Sequence, residues 1–253
     1  MQWLCIFAAS FAAGAVNAIA GGGTLLSFPT LIWLGRDPIV ANATNAVALW
    51  PGSLAAMLGF RRELAAAHRS ALWLTAPSLL GGALGAVLLL HTPSRVFGAL
   101  VPYLILFATG LFAAQRPITR ALGPRTLGGA SRHSWIAAAA FQLLVATYGG
   151  YFGAGMGIVM LAALALLGLG DIHEANALKN LFAVCINGIA AALFVAGSAI
   201  DWSDAALMAT GAVAGGFFGA ELGRRLGREF VHRAVVTIGL IAALSTLVLL
   251  RRG

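Results

Sequence analysis

The chain has 253 residues, and its composition excludes an ordinary soluble domain. Hydrophobic residues make up 60% of it and charged residues only 9%, whereas soluble domains carry about 25% charged residues. The mean hydropathy is +0.91. The net charge of +8 comes from arginines in short clusters between apolar runs. That pattern is typical of loops that flank membrane spans, and it argues against nucleic-acid binding.

The first apolar stretch, residues 1–34, is too long for one simple helix. It is interrupted by Gly21, Gly22 and Gly23. Glycine in a helix interior costs on the order of 1 kcal/mol relative to alanine, so the cluster predicts a break. Broken backbone at membrane depth survives only where it is buried in protein or lines a polar cavity. We therefore predict part of a transport site here, with Asn17 and Thr24 as neutral donors.

Six further apolar runs approach the length of about 20 residues that a bilayer crossing needs. They cover residues 39–60, 71–90, 96–114, 178–200, 205–223 and 234–250. A second overlong stretch, residues 135–169, is also interrupted by glycines. Its predicted site residues are Tyr151, Gly153, Gly155 and Gly157. The two interruptions predict paired half-helices whose amide-rich starts point at one anion.

Polar residues follow each interruption on an otherwise apolar helix. Asp37 and Asp171 each precede such a helix, and we interpret both as helix caps. Side chains three or four residues apart share a helix face. Two polar clusters therefore each form one strip, and we predict that both contribute to the site: Asn42 and Asn45 in the first, and Asn176, Lys179 and Asn180 in the second.

The sequence allows two interpretations of Lys179. An ionisable residue inside a membrane usually faces a cavity or a partner, which predicts that Lys179 neutralises an anionic substrate. The other interpretation is that Lys179 lies shallowly, with its ammonium reaching the interface or pairing with Glu174.

The chain repeats itself without a gap at an offset of 134 residues. The matching positions include Gly21, Gly23, Asp37, Asn42, Phe60, Gly81, Gly82 and Gly85, which fall on Gly155, Gly157, Asp171, Asn176, Phe194, Gly215, Gly216 and Gly219. The repeat predicts an all-α polytopic membrane protein with two homologous repeats of four segments, the first segment of each broken by glycines. We expect a first repeat at 1–115, a basic linker at 116–133 and a second repeat at 134–253.

The loop charges favour repeats that are inverted relative to each other. The connection after the second segment is net positive around Arg61 and Arg62, but its counterpart around Asp201 and Asp204 holds no lysine or arginine. The next connection reverses this bias. Inversion requires an odd number of crossings per half. This holds if each glycine-broken stretch is a re-entrant hairpin that does not cross, which leaves three true crossings per half. Eight crossings with parallel halves remain the alternative.

Two further patterns concern packing and chemistry. Small residues four apart at Gly81 and Gly85, and at Gly215 and Gly219, predict close helix packing. The sequence predicts no metal site, no cofactor and no enzymatic activity, because it holds no metal-ligand or nucleophile motif.

The glycine interruptions and the polar clusters together resemble those of the TauE/SafE group of sulfite exporters and related membrane transporters. The resemblance rests on the run GAVNAIAGGGTLLSFP from Gly14 to Pro29, on ANATN at 41–45 with Pro51, on GAGMG at 153–157 and on EANALKN at 174–180. It implies a multi-pass plasma-membrane protein that transports sulfur-containing anions such as sulfite, sulfonates or thiosulfate.

Repeat and resemblance together predict a secondary membrane transporter. We expect it to export a small anion, sulfite or an organosulfonate or other sulfur oxyanion, by alternating access at a site between the repeats. The partners are the anionic substrate and membrane lipid. The alternatives are an anion channel or a non-transporting membrane protein.

Overall fold

A computed structural model describes residues 1–19, 22–67, 72–115, 132–166, 172–226 and 228–252. Within these ranges the chain forms eleven α-helices and no strand, which confirms the all-α prediction. In chain order they are α1 Gln2–Ile19, α2 Thr24–Trp33, α3 Pro38–Gly59, α4 Arg61–Ala66, α5 Thr75–His91, α6 Ser94–Ala113, α7 Arg132–Tyr151, α8 Met156–Leu166, α9 Ile172–Ala196, α10 Trp202–Leu226 and α11 Arg228–Arg252. Gly21, Asp171 and residues 116–131 of the predicted linker lie outside the described residues.

Each predicted span corresponds to a helix, namely α3, α5, α6, α9, α10 and α11. Two helices of the described ranges are long and apolar enough, by length and composition, to cross a membrane. They are Ser94–Ala113 and the Glu174–Ala196 part of α9. Shorter apolar helices include Gln2–Asn17, Thr24–Trp33, Thr75–His91 and His232–Val248.

Local sequence signals set the junction between α2 and α3. At the end of α2 the Arg36 amide donates to the Leu31 carbonyl, and Gly35 has a φ of +80°. This conformation is the left-handed helix cap that glycine adopts without steric cost. Asp37 then caps α3, because its Oδ1 accepts hydrogen bonds from the amides of Ile39 at 2.9 Å and Val40 at 3.2 Å. The capping interpretation of Asp37 is confirmed.

Glycines bring two helix pairs into backbone contact. A Cβ atom at Gly215 in α10 would overlap the Phe11 carbonyl of α1, and one at Gly85 in α5 would overlap the Thr147 carbonyl of α7. Gly81 likewise lies against α7. The predicted packing role is therefore confirmed at these three glycines, since only glycine permits so close an approach.

Both of these pairs join the N-terminal half of the chain to the C-terminal half, and both run parallel. In the first pair Phe7 lies against Gly211 and Phe11 lies against Gly215, so α1 and α10 point the same way. Between the pairs, α3 packs on α9, where Trp50 Nε1 donates to the Val184 carbonyl at 3.2 Å. In addition, α3 packs on α10, α9 on α5 and α6 on α11.

The path of α1 and α2 follows from these contacts. Arg36, just after α2, forms an ion pair with Asp204 in the first turn of α10. Because α10 and α1 are parallel, α1 begins at the same face of the bundle at which α2 ends. We call this the Arg36 face. The end of α9 also lies there, since the amide of Asp201 donates to Thr44 Oγ1 in α3 at 3.0 Å.

Candidate functional site

The first glycine interruption separates α1 from α2, as predicted. Gly22 has a φ of +92°, and the amide of Gly23 donates to Asn17 Oδ1 at 2.7 Å. A Cβ at Gly23 would overlap the Ala13 carbonyl and the Asn17 side chain, so the chain folds back tightly onto α1. Thr24, the first residue of α2, comes directly after this turn.

The second interruption separates α7 from α8, again as predicted. Gly153 and Gly155 have φ values of +81° and +78°, which favour glycine strongly. Tyr148 Oη donates to the Ala154 carbonyl at 2.6 Å and holds the turn. Asn42 of α3 donates from Nδ2 to the Tyr151 carbonyl at 3.1 Å. An amide from the N-terminal half thus anchors the second interruption.

Aromatic contacts hold the same turn against the N-terminal half. Phe152 lies edge-on to Phe28 of α2, with ring centroids 5.3 Å apart, and Phe97 of α6 lies edge-on to Tyr151 at 5.5 Å. Such edge-to-face pairs contribute about 0.5–1.5 kcal/mol beyond the area they bury. The second interruption is therefore seated firmly between α2, α3 and α6.

A cavity of about 50 Å³ lies between α2, α3, α9 and the end of α7. Its polar side chains are Thr24, Asn42, Asn45 and Asn187, and its walls include the backbone of Gly149, Gly150 and Gly153 together with Phe152, Ala190 and Phe194. This volume holds a few water molecules or one small ion. All four polar side chains are neutral, so hydrogen bonds rather than a fixed charge define the chemistry of the cavity.

Two of the predicted asparagines already use part of their hydrogen-bonding capacity within the protein. Asn42 and Asn45 are 3% and 2% exposed, and Asn45 Oδ1 accepts from the Ser27 hydroxyl. Asn187 makes no hydrogen bond with any residue that the structure describes, and it lies in the apolar part of α9. Its amide is thus available to a guest in the cavity.

The predicted lysine lies elsewhere, in a second cluster between α8 and α9. Lys179 Nζ donates to Asn176 Oδ1 at 3.3 Å, as expected for two residues on one helix face. The Lys179 stem covers Gly157 near the start of α8, where a Cβ would lie 3.3 Å from Lys179 Cδ. Asn180 is half-buried on the same helix. An ammonium therefore lies near the partially positive start of α8.

The structure thus places most of the predicted residues in three regions. Thr24, Asn42, Asn45 and Gly153 line the cavity, and Tyr151 borders it through its carbonyl. Gly157, Asn176 and Lys179 form the second cluster, while Asn17, Gly22 and Gly23 form the first turn. Gly155 packs on Ala108 of α6.

Sequence reasoning missed three residues. Asn187 and Ser27 support the cavity, and Arg36 joins the halves. Asn187 had a signal, because an amide within the apolar run 178–200 is costly and needs a partner. Arg36 had none, since its partner is 168 residues away.

Apolar helices that are broken at glycines and packed through small residues define a helical membrane protein. The profile of the family described as "Sulfite exporter TauE/SafE" matches residues 6–246. The chain belongs to this family, which confirms the resemblance. No solved structure matches the chain.

Three relatives cover nearly its whole length. A "Probable membrane transporter protein" of Haemophilus influenzae is 32% identical over 236 residues, which are 91% of this chain and 89% of that protein. The "Probable membrane transporter protein ORF9" of Sinorhizobium sp is 28% identical over 96% of this chain and 91% of its own. The "Probable membrane transporter protein YfcA" of Escherichia coli K12 is 27% identical over 96% and 88%, respectively.

Proposed function

We propose that the protein is a secondary transporter of small anions in the cell membrane, with sulfite or an organosulfonate or other sulfur oxyanion as its substrate. The observation that carries the proposal is Lys179. It is a lysine within a helix segment long and apolar enough to cross a bilayer, and it lies against the start of another helix. Membership of the TauE/SafE family supports transport and motivates the choice of sulfur oxyanions.

The anion-binding element in this proposal is the second cluster. A lysine ammonium and a helix start both favour negative charge, and Asn176 Oδ1 accepts a hydrogen bond from the ammonium and holds it in place. In the low dielectric of a membrane, an unneutralised oxyanion would be expelled. The Lys179 charge offsets part of that cost.

The cavity provides the polar part of the route. Its lining comes from both halves of the chain and contains the amides of Asn42, Asn45 and Asn187. An anion that leaves Lys179 can exchange hydrogen bonds with these amides instead of water. The cavity volume of about 50 Å³ implies that a larger sulfonate requires the halves to separate.

We further propose that residues 1–115 and 134–253 are inverted repeats joined by the linker at 116–133. Helix bounds support this, because α1, α2, α3, α5 and α6 match α7, α8, α9, α10 and α11 at the predicted offset. Packing supports it too: α1 on α10 corresponds to α7 on α5, and α3 on α10 corresponds to α9 on α5. Trp50 and its partner Val184 are also 134 residues apart.

Alternating access would then move the two halves relative to each other. At the Arg36 face, the Arg36–Asp204 ion pair and the bond from Asp201 to Thr44 join the halves. Opening the cavity toward that face requires both contacts to break. The sequence holds no Gly-Lys-Ser/Thr phosphate loop, so an ion gradient would supply the energy.

The test is an anion flux assay with purified protein in proteoliposomes. We expect flux of radiolabelled sulfite, taurine or sulfoacetate for the wild type, and its loss in Lys179→Met, which keeps the length of the side chain but removes its charge. Arg62→Gln, an exposed arginine in α4, is the matched control and should leave flux unchanged.

Two results would contradict the proposal. Folded wild-type protein that moves none of these anions would exclude transport of this class. Unchanged flux in Lys179→Met would show that Lys179 does not belong to the anion-binding site. A single-channel conductance too large for a carrier would instead favour the alternative of an anion channel.

A further inference from the structure

A groove of about 340 Å³ lies at the Arg36 face, apart from the cavity and from Lys179. It is formed where α2 and α11 end and where α3 and α6 begin. Its apolar lining includes Ile32, Pro38, Gly98 and Val101. Four helix ends therefore surround one open apolar groove at the edge of the bundle.

Gly98 lines the groove and contributes no side chain to it. A Cβ at Gly98 would lie 3.4 Å from Pro38 Cγ, which is ordinary van der Waals contact, and its φ is not positive. Neither backbone geometry nor tight packing therefore requires glycine at this position. A larger side chain at position 98 would fill the groove without straining the helix.

One cation borders the groove and has no partner in the described part of the chain. Arg95 lines the groove, is exposed, and makes neither an ion pair nor a hydrogen bond there. Arg36, which lies at the same face, is neutralised by Asp204. Among the described residues that line the groove, Arg95 therefore carries the positive charge.

An exposed tryptophan lies beside the groove. Trp33 is 44% exposed and follows Ile32 directly, and its Nε1 donates to Ser245 Oγ at 3.0 Å, next to Thr246 of the groove. Tryptophan is enriched at the level of lipid headgroups, where its ring is apolar and its N–H finds a polar partner. This preference of tryptophan favours a position of the groove next to the headgroups, with Arg95 at the rim of the groove.

We propose that this groove binds an anionic phospholipid, with the phosphate on Arg95 and the start of an acyl chain against Ile32, Gly98 and Val101. Charge complementarity selects an anionic lipid, and the apolar lining selects a chain rather than a free inorganic anion. The proposal does not depend on transport, because the groove shares no residue with the cavity or with Lys179.

Thermal unfolding of the detergent-purified protein tests this proposal. Phosphatidylglycerol and phosphatidylcholine with identical acyl chains are titrated separately, and a third titration uses sulfite. We expect phosphatidylglycerol to bind about five-fold more tightly than phosphatidylcholine, the ratio that one arginine near a membrane surface supplies. Arg95→Gln should abolish that preference, and Gly98→Leu should weaken both lipids.

Two matched controls accompany these variants. Arg62→Gln removes an exposed arginine elsewhere, and Gly110→Leu adds the same side chain on α6 at a position where a Cβ meets nothing. Both should keep the wild-type preference. Equal binding of the two lipids by the wild type, an unchanged preference in Arg95→Gln, or stabilisation by sulfite that depends on Arg95 would each overturn the proposal.

Discussion

Arg36 and Asp204 form a two-pronged ion pair across the halves of the molecule. Arg36 Nε donates to Asp204 Oδ2 at 2.7 Å and Nη2 donates to Oδ1 at 3.2 Å. The Asp204 side chain is only 1% exposed, whereas that of Arg36 is 29% exposed. The hydrogen bond with Asp204 raises the pKa of the Arg36 guanidinium above its ordinary value, so Arg36 stays charged.

Because Asp204 is more buried than Arg36, we expect substitutions of these two residues to lower the stability of the protein by different amounts. Arg36→Gln leaves a buried carboxylate without its cation, and we expect a loss of about 3 kcal/mol of stability. Asp204→Asn leaves an arginine that water can reach, and we expect about 1 kcal/mol. Thermal unfolding in detergent measures both.

Glu229→Gln is the matched control for this pair, because Glu229 bonds the exposed Arg233 at 3.1 Å. Exposed pairs of this kind contribute about 0–1 kcal/mol. A loss in Asp204→Asn that exceeds the loss in Arg36→Gln would show that the burial argument is wrong.

The hydrogen bonds to the Asp201 carboxylate predict that the stability of the protein depends on pH. The Ser203 hydroxyl and the Asp204 amide donate to Asp201 Oδ1, at 2.6 and 3.1 Å, and these bonds hold the pKa of its carboxyl below the ordinary 3.8. A carboxylate with a lowered pKa stabilises the fold above its unfolded pKa, and this contribution disappears as the pH falls through the folded pKa.

Asp201→Asn isolates this contribution. We expect the wild type to unfold at a higher temperature than this variant by a constant margin from neutral pH down to about pH 5. The margin should shrink below about pH 4, where Asp201 gains a proton in the unfolded chain. A margin that stays the same throughout would contradict the assignment.

The surroundings of Gly215 and Gly110 predict that replacement by alanine destabilises the protein at the first position and stabilises it at the second. Gly215→Ala should cost about 1–3 kcal/mol, because its methyl group would overlap the Phe11 carbonyl and force α1 and α10 apart. Gly110→Ala meets nothing within 4 Å and should stabilise α6 by up to about 1 kcal/mol. Unfolding temperatures that move in the same direction for both variants would argue against the packing role.

Gly157 offers a mild change beside the proposed anion site. A methyl group there would lie 3.3 Å from Lys179 Cδ, and the flexible lysine can move away. We expect Gly157→Ala to change stability by less than about 0.5 kcal/mol but to weaken the thermal stabilisation that sulfite gives. Sulfite binding equal to that of the wild type would indicate that the position of Lys179 is unimportant.

Asn187 tests the cavity itself. Asn187→Asp keeps the shape of the side chain but adds a negative charge, so anion flux should fall about ten-fold, equivalent to ~1.4 kcal/mol. Asn187→Ser keeps a neutral polar group and should retain most of the flux. Equal flux in both variants would place the anion route outside the cavity.

Local signals account for what the sequence predicts well. Hydropathy locates the apolar helices, the glycine clusters locate both interruptions, and Asp37 marks the start of α3, because each of these depends on neighbours within a few residues. The spacing of Asn176 and Lys179 also predicts their contact, since both lie on one helix.

Long-range geometry accounts for what the sequence does not predict. The Arg36–Asp204 pair and the bond from Asn42 to the Tyr151 carbonyl join residues 168 and 109 positions apart. No periodicity specifies such contacts. For the same reason the sequence could not tell that Asn45 lines the cavity while Lys179 lies beside α8.

Helix α6 lies against both interruptions. A Cβ at Gly22 would meet the Phe112 ring, and one at Gly155 would meet Ala108, which is one turn earlier on the same helix. Sliding of α6 along its axis would therefore change the contacts of both turns at once. A rearrangement of one turn that displaces α6 is in this way coupled to the other turn.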